Sequence, residues 1–212
     1  MTARFSDRKD AGIKLNDFLG SLEFDVIAAI PRGGVELAVE IARRRKKPVL
    51  IVGVRKIPIP WNIEAGFGAI AEDGSIFLNK SLLSHLQISS DEVSRLAEEV
   101  RREVIRRIDA YRKGREIPNL SGRRVLLVDD GFASGYTAIA AIELLKKKGA
   151  VVYAAAPCSP SDTVNLLKKY ADEVIVIQVQ RFGAFAVASY YEDFRDLTDE
   201  EVIESLKEVE NL

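Results

Sequence analysis

Five short apolar runs constrain this chain most: Val26–Ile30, Val49–Val54, Val125–Val128, Val151–Ala156 and Val174–Val179. Each is rich in Val, Ile, Leu or Ala and too short to stand as a helix. Apolarity is continuous along each run instead of alternating, so both faces need cover, as in the strands of a parallel sheet. Segments with helical period fill most of the gaps: Val35–Arg45 after the first run, Thr137–Lys148 after the third and Ser161–Tyr170 after the fourth. Strand alternating with helix predicts an α/β fold, an open and mainly parallel twisted sheet flanked by helices.

Between the second and third runs the pattern changes. Phe67–Ala71 and Ser75–Asn79 flank Glu72-Asp73-Gly74, and Asp-Gly between apolar runs predicts a hairpin. Ser89-Ser90-Asp91-Glu92 has the form of a capping box with Ser89 as N-cap. Val93, Leu96, Ala97, Val100, Val104, Ile108 and Tyr111 then recur at helical spacing and predict a long helix with one apolar stripe. Its Arg101, Arg102, Arg106 and Arg107, interleaved with Glu98, Glu99 and Glu103, read as a solvated, salt-bridged surface. Thr198-Asp199-Glu200-Glu201 is a second capping box, opening a short acidic helix.

The 212 residues suffice for one domain with a sizeable core. No apolar run approaches the roughly 20 residues that span a bilayer, and the start, MTARFSDRKD, lacks the apolar segment of a secretory signal. The expectation is a cytoplasmic protein with no membrane partner. One Cys and one His exclude an internal disulfide and a zinc site of the Cys/His type. Cys158 is expected as a small buried thiol and His85 as a surface or loop residue. Lys plus Arg number 31 against 32 Asp plus Glu, a net charge of −1 that argues against a protein coating nucleic acid. That balance averages a basic stretch, residues 1–124, with an acidic one, residues 125–212.

The chemistry concentrates in Val125-Leu126-Leu127-Val128-Asp129-Asp130-Gly131-Phe132-Ala133-Ser134-Gly135-Tyr136-Thr137. A buried strand runs into two adjacent carboxylates, then a loop of small and hydroxylated residues, then a helix. A helix N-terminus offers unpaired N–H groups and a positive dipole end, which suits a phosphate. Ser134 and Thr137 can add hydroxyl donors, and Gly135 lets the backbone come close. Asp129 and Asp130, at the carboxyl end of a central strand, suit ribose hydroxyls or a hydrated cation. A second loop, Pro31-Arg32-Gly33-Gly34, follows the first strand; its glycines expose backbone N–H groups to an anion and Arg32 adds a bidentate donor.

The Val125–Thr137 segment resembles the 5-phosphoribosyl-1-diphosphate (PRPP) binding motif of type I phosphoribosyltransferases. It departs from the family pattern at Gly131, where an apolar residue is usual, and at Ser134, where Thr is commoner. The resemblance implies that Asp129 and Asp130 bind the ribose 2′- and 3′-hydroxyls, acting as the catalytic acids and as water- or substrate-mediated contacts to Mg²⁺. It implies that Ala133, Ser134, Gly135, Tyr136 and Thr137 cradle the 5′-phosphate. Pro31–Gly34 looks like the pyrophosphate loop, with Arg32, Gly33 and Gly34 on PRPP, and Lys56 at the end of Val54-Arg55-Lys56 as a further pyrophosphate contact. Residues 1–212 would form a single domain, with a flexible loop over about 57–80 and a hood drawn partly from 180–212. Trp61, between prolines, suits a lid anchor or a dimer contact. Phe182 follows the last strand, where an aromatic ring stacks on the base in purine-type members; its apolarity alone would place it in the core.

The implied reaction transfers the 5-phosphoribosyl group of PRPP to a nitrogen acceptor, a nucleobase with purine slightly favoured, and releases pyrophosphate. Mg²⁺ is the implied cofactor, PRPP and the acceptor are the partners, nucleic acid is not, and a homodimer fits the family. Two alternatives stand beside it. A non-catalytic PRPP-binding regulator would keep the same loops, although no helix-turn-helix or basic arm is visible. A serine hydrolase could use Ser134 on a strand–turn–helix, but the G-x-S-x-G elbow is absent.

Overall fold

The computed structural model describes residues 5–212. The elements in chain order are α1 (Arg8–Leu19), β1 (Val26–Ala29), α2 (Gly33–Arg45), β2 (Val49–Ile51), β3 (Val54–Ile59), β4 (Asn62–Ala71), β5 (Ile76–Leu78), α3 (Lys80–Leu86) and α4 (Ser90–Arg112). After these come β6 (Arg124–Val128), α5 (Tyr136–Lys147), β7 (Val151–Pro160), α6 (Ser161–Leu167), β8 (Glu173–Gln180), a short 3-10 turn (Val187–Tyr190) and α7 (Asp199–Lys207). Five strands form a parallel sheet in the order β2-β1-β6-β7-β8, and β3-β4-β5 form a separate antiparallel sheet.

Continuous apolarity in the strands has the cause the sequence suggests. Ile27 and Ala29 of β1 and Leu126 and Val128 of β6 pack with Leu15, Leu37, Ile41 and Val202 on one face. Their neighbours Ala28, Val125 and Leu127 pack with Ile139, Ile142, Leu145 and Leu167 on the other. Successive side chains point to opposite faces of a strand, so a sheet covered twice admits no polar position along it. The fully buried Leu126 shows the scale: its truncation to alanine would cost about 2–5 kcal/mol.

One run is split. Val49–Val54 reads as a single strand, but β2 ends at Ile51 and the chain changes sheets. The Val52 N–H still bonds the Ala29 carbonyl of the parallel sheet; the Gly53 carbonyl instead takes the Glu72 N–H, and Val54 pairs with Ala71. An unbroken apolar run hides the switch because both sheets bury these side chains. The hairpin at Glu72–Ser75 forms as expected, with β3 laid against its other side. The small sheet lies between α4 and α5, with Phe67 and Ile70 on the α4 side and Ala69 and Ala71 on the α5 side.

The capped helices also form. Ser89 accepts from the Glu92 N–H at the head of α4, and Thr198 and Glu201 make a reciprocal capping box on α7. The predicted α4 stripe is buried at Val93, Ala97, Val100, Val104, Ile108 and Tyr111. Helix α1, which has no strong apolar period, is set by its Asp7 cap and by the N-terminal segment: Phe5 bridges in parallel to Tyr191, joining the two ends of the chain. No helix among the described residues is long and apolar enough to cross a membrane.

Candidate active site at the carboxyl edge of the sheet

Strands β1 and β6 are neighbours in register, Ala29 opposite Val128, so the loops that follow them meet. The Pro31–Arg32 peptide is cis, and Gly33 opens α2 directly against the acid pair: a Cβ on Gly33 would lie 1.9 Å from Asp130 Oδ2. Only glycine permits that approach.

Asp129 and Asp130 are partly exposed at the end of β6. Burial pushes the Asp129 carboxyl well above the ordinary carboxylate range, and the neighbouring Asp130 charge adds to the rise. Burial raises Asp130 as well, while Arg8 pulls it back. Each acid has one oxygen held by the protein. The Asp130 N–H donates to Asp129 Oδ1 at 2.9 Å, and Arg8 Nε donates to Asp130 Oδ2 at 2.8 Å. Asp129 Oδ2 and Asp130 Oδ1 accept nothing from the described residues. The Asp130 carbonyl takes the Tyr191 hydroxyl at 2.6 Å.

Beyond the acids, Phe132 is buried and its N–H bonds the Cys158 carbonyl at 3.0 Å, while buried Thr163 donates to the Ala133 carbonyl at 2.5 Å. These anchors leave Ala133 and Ser134 exposed. Gly135, at φ +82°, turns the chain into α5 as its N-cap, and no side chain caps that helix. Tyr136 and Thr137 follow, half-buried. Helices α1, α3, α4 and α7 are capped by Asp7, Asn79, Ser89 and Thr198. Helices α2, α5 and α6, which all start at the carboxyl edge of the parallel sheet, are not. Their first N–H groups therefore remain available for an anion.

Arg32 lines a cavity of about 230 Å³ with Pro31, Gly53, Val54, Arg55, Val104, Arg107, Ile108 and Tyr111. Arg107 departs from the solvated surface expected of the α4 arginines. Its Nη2 is 2.8 Å from Glu103 and its Nε 3.7 Å from Asp199. Arg32 Nη1 lies 3.9 Å from the same Asp199, which also accepts the Tyr111 hydroxyl. Burial opposes ionisation of Asp199, but the Tyr111 bond and the Arg107, Arg32 and Arg106 charges hold its carboxyl below the usual range.

Gly33, Asp129 and Asp130 are thus brought together, and Arg32 and Gly34 come with them through the α2 N-terminus. Lys56 sits half-buried on β3, next to Arg55, with its stem over Gly66; it does not line the cavity. Phe182 is not in the core: it is 89% exposed, in a loop whose Phe182, Gly183 and Ala184 carbonyls are drawn to Gln180 Nε2. Trp61 is exposed at the β3–β4 turn. Cys158 is buried, and burial with the nearby acid charges pushes its thiol up, so it is no nucleophile. His85 is on α3, bonded to the Ser81 carbonyl and beside Ser84, and Ser134 has no histidine partner. The hydrolase alternative fails there. Sequence reasoning missed Arg8, an arginine only 6% exposed at the head of α1.

The sequence model described as the phosphoribosyl transferase domain matches residues 11–193. This chain belongs to that family. Within it, the chain is 37% identical to TT1426 of Thermus thermophilus, whose crystal structure superposes with a TM-score of 0.75 over 96% of this chain and 97% of that one. It is also 36% identical over 202 residues to proteins of Mycobacterium tuberculosis strains CDC 1551 and H37Rv, each named "Putative phosphoribosyl transferase". That match covers 94% of this chain and 45% of each of theirs, so the chain spans about half the length of the curated relatives it matches. The α/β sheet, the acid pair and the two glycine-bearing loops of this phosphoribosyl transferase domain all lie inside the matched region.

Proposed function

We propose that the site transfers the 5-phosphoribosyl group of PRPP to a nitrogen acceptor, releasing pyrophosphate. One observation carries the reading: two adjacent carboxylates, each with one oxygen held by the protein and one left over, at the head of a helix that no side chain caps. Two spare carboxylate oxygens suit two vicinal hydroxyls of a ribose, and the uncapped α5 N-terminus with Ser134 and Thr137 suits its 5′-phosphate.

In this reading the α2 N-terminus, Arg32 and Lys56 receive the pyrophosphate. Mg²⁺, when bound, lowers the charge on that leaving group. The donors present fit such an ion: no three His, Cys, Asp or Glu side chains converge to cage a metal among the described residues, while Asp129 and Asp130 can contribute to a shell made mostly of substrate oxygens and water. As the bond from C1 to pyrophosphate breaks, positive charge develops on the ribose ring, as in glycoside hydrolysis, and the acid pair beneath it is preorganised to stabilise that charge. The acceptor nitrogen forms the new bond to C1 and gives up its proton. Residues 57–80 serve as the covering loop and 180–212 as part of the hood that receives the acceptor. The exposed Phe182 ring supports stacking on a flat base, and a purine is the first acceptor to test.

The test is incubation with PRPP, Mg²⁺ and each nucleobase in turn, with pyrophosphate measured. Release dependent on one acceptor is expected. PRPP binding without release for any acceptor would favour the regulatory alternative, and no PRPP binding would dispose of both.

A further inference from the structure

Asp130 is gripped by residues from both ends of the chain. Arg8 Nε holds its carboxylate at 2.8 Å, and Arg8 Nη1 donates at 2.7 Å to the Arg195 carbonyl. The Arg8 guanidinium lies 4.0 Å from the centre of the Phe194 ring, which packs in turn on Tyr191, the residue bonded to the Asp130 carbonyl. The side chains of Arg8 and Asp130 are 7% and 15% exposed, so water does little to screen their attraction. Helix α1 reaches this position because Gly12, one turn along, lets it cross α2 closely: a Cβ there would lie 2.9 Å from Leu37 Cα.

We propose that Arg8 is a positioning residue for the acid pair. The inference rests on the reading that Asp129 and Asp130 receive the ribose hydroxyls. Two neighbouring, half-buried carboxylates repel, and nothing in their own loop supplies a cation. Arg8 offsets that repulsion and fixes which oxygen of Asp130 is occupied. Asp130 Oδ1 then stays available beside Asp129 Oδ2. A lysine could supply the charge but not the rest, because only a planar guanidinium can donate in two directions while stacking on Phe194. By the same contacts Arg8 makes the order of the acid pair depend on the packing of the C-terminal segment at Phe194–Arg195.

The experiment is a double-mutant cycle on PRPP affinity, measured calorimetrically with Mg²⁺, with circular dichroism and Tm on every variant. Arg8→Met is expected to weaken PRPP binding about 10- to 100-fold, the usual effect of misplacing a contact group by about 1 Å. In an Asp130→Asn background the same change is expected to cost no more than about twofold, since Arg8 acts through Asp130. Arg8→Lys is expected to recover part of the loss, and takes the place of Arg8→Met in the cycle if the latter does not fold. Unchanged affinity in a folded Arg8 variant, or the same fold-loss recurring in the Asp130→Asn background, overturns the proposal. A wild-type protein that does not bind PRPP at all defeats the underlying reading instead and takes this inference with it.

Discussion

Gly33 and Asp130 touch across the carboxyl edge of the parallel sheet, with room between them for a hydrogen and not for a methyl group: a Cβ at position 33 would stand 1.9 Å from Asp130 Oδ2 and 3.1 Å from Arg8 Nε. The contact joins the loop after β1 to the acid pair after β6, so that neither can be displaced without the other. It also places the α2 N-terminus, with its uncapped N–H groups, beside the residues proposed to hold the ribose.

Gly33→Ala therefore tests the site by sterics alone, without altering any charge. The methyl group must push Asp130 off Arg8 or lift the head of α2. The expected result is a loss of PRPP affinity of about 100-fold, with a stability cost of about 1–3 kcal/mol from overpacking. Calorimetric titration with PRPP and a denaturant melt check the two parts separately. An alanine variant that binds PRPP like the wild type would show that the two loops are not coupled in binding.

Asp129 presents the opposite case, a group the fold tolerates at a cost. Burial and the Asp130 charge raise its folded pKa above its unfolded value. Its contribution to stability is therefore whole below the unfolded pKa of roughly 4 and is lost as pH rises through the folded value. Asp129→Asn keeps an oxygen for the Asp130 N–H and removes the charge. At pH 7 this variant is expected to melt a few degrees higher than wild type while losing PRPP binding, and the difference in Tm is expected to shrink as pH falls toward 4. A lower Tm for the variant at neutral pH would refute the assignment of unfavourable charge at this site.

The contrast between Val125–Thr137 and Arg8 shows what the sequence carried and what it did not. The sheet strands, the α4 stripe, the two capping boxes and the acid-pair loop are all local patterns, in which neighbours along the chain report each other's environment. Arg8 belongs to no such pattern. Its partner Asp130 is 122 positions away, and α1 lacks a strong apolar period that would have announced it. A charged residue that is buried because a distant acid receives it reads, in sequence, like any surface arginine. Arg107 was hidden in the same way among the arginines of α4, and the change of sheet at Val52-Gly53 was hidden because both sheets bury what they receive. Phe182 illustrates the converse: an aromatic side chain is assigned to the core by its apolarity, and only the tertiary structure shows it left outside.

That exposure makes Phe182 a discriminating position. A ring with 89% of its surface exposed contributes little to folding. Phe182→Ala is expected to change stability by no more than about 0.5 kcal/mol. If the ring stacks on the acceptor, the same variant raises the acceptor KM and leaves PRPP affinity as it was. Steady-state kinetics with the acceptor identified in the pyrophosphate assay separate these quantities. Equal kinetics in both proteins would remove Phe182 from the acceptor site.

Asp199 ties the C-terminal helix to the basic cavity, and its removal is expected to move stability and affinity in opposite directions. Burial opposes its charge, but the Tyr111 hydrogen bond and the Arg107, Arg32 and Arg106 guanidinium groups leave its folded pKa below the unfolded one. Its contribution is therefore present above the unfolded pKa and is lost as pH falls through the lowered folded value. Asp199→Asn should cost about 1 kcal/mol at pH 7, and the difference from wild type should fade in acid. The same carboxylate competes for Arg32, which it holds only loosely at 3.9 Å, and for Arg107 at 3.7 Å. With the competitor neutral, both guanidinium groups are freer to meet an incoming pyrophosphate group. A few-fold gain in PRPP affinity is expected, the equivalent of ~0.5–1 kcal/mol, and it should diminish as salt is added because the groups are partly exposed. A salt titration of PRPP affinity in both proteins decides the matter: weaker binding by the variant at every ionic strength would mean that Asp199 orients Arg32 toward the ligand instead of holding it back.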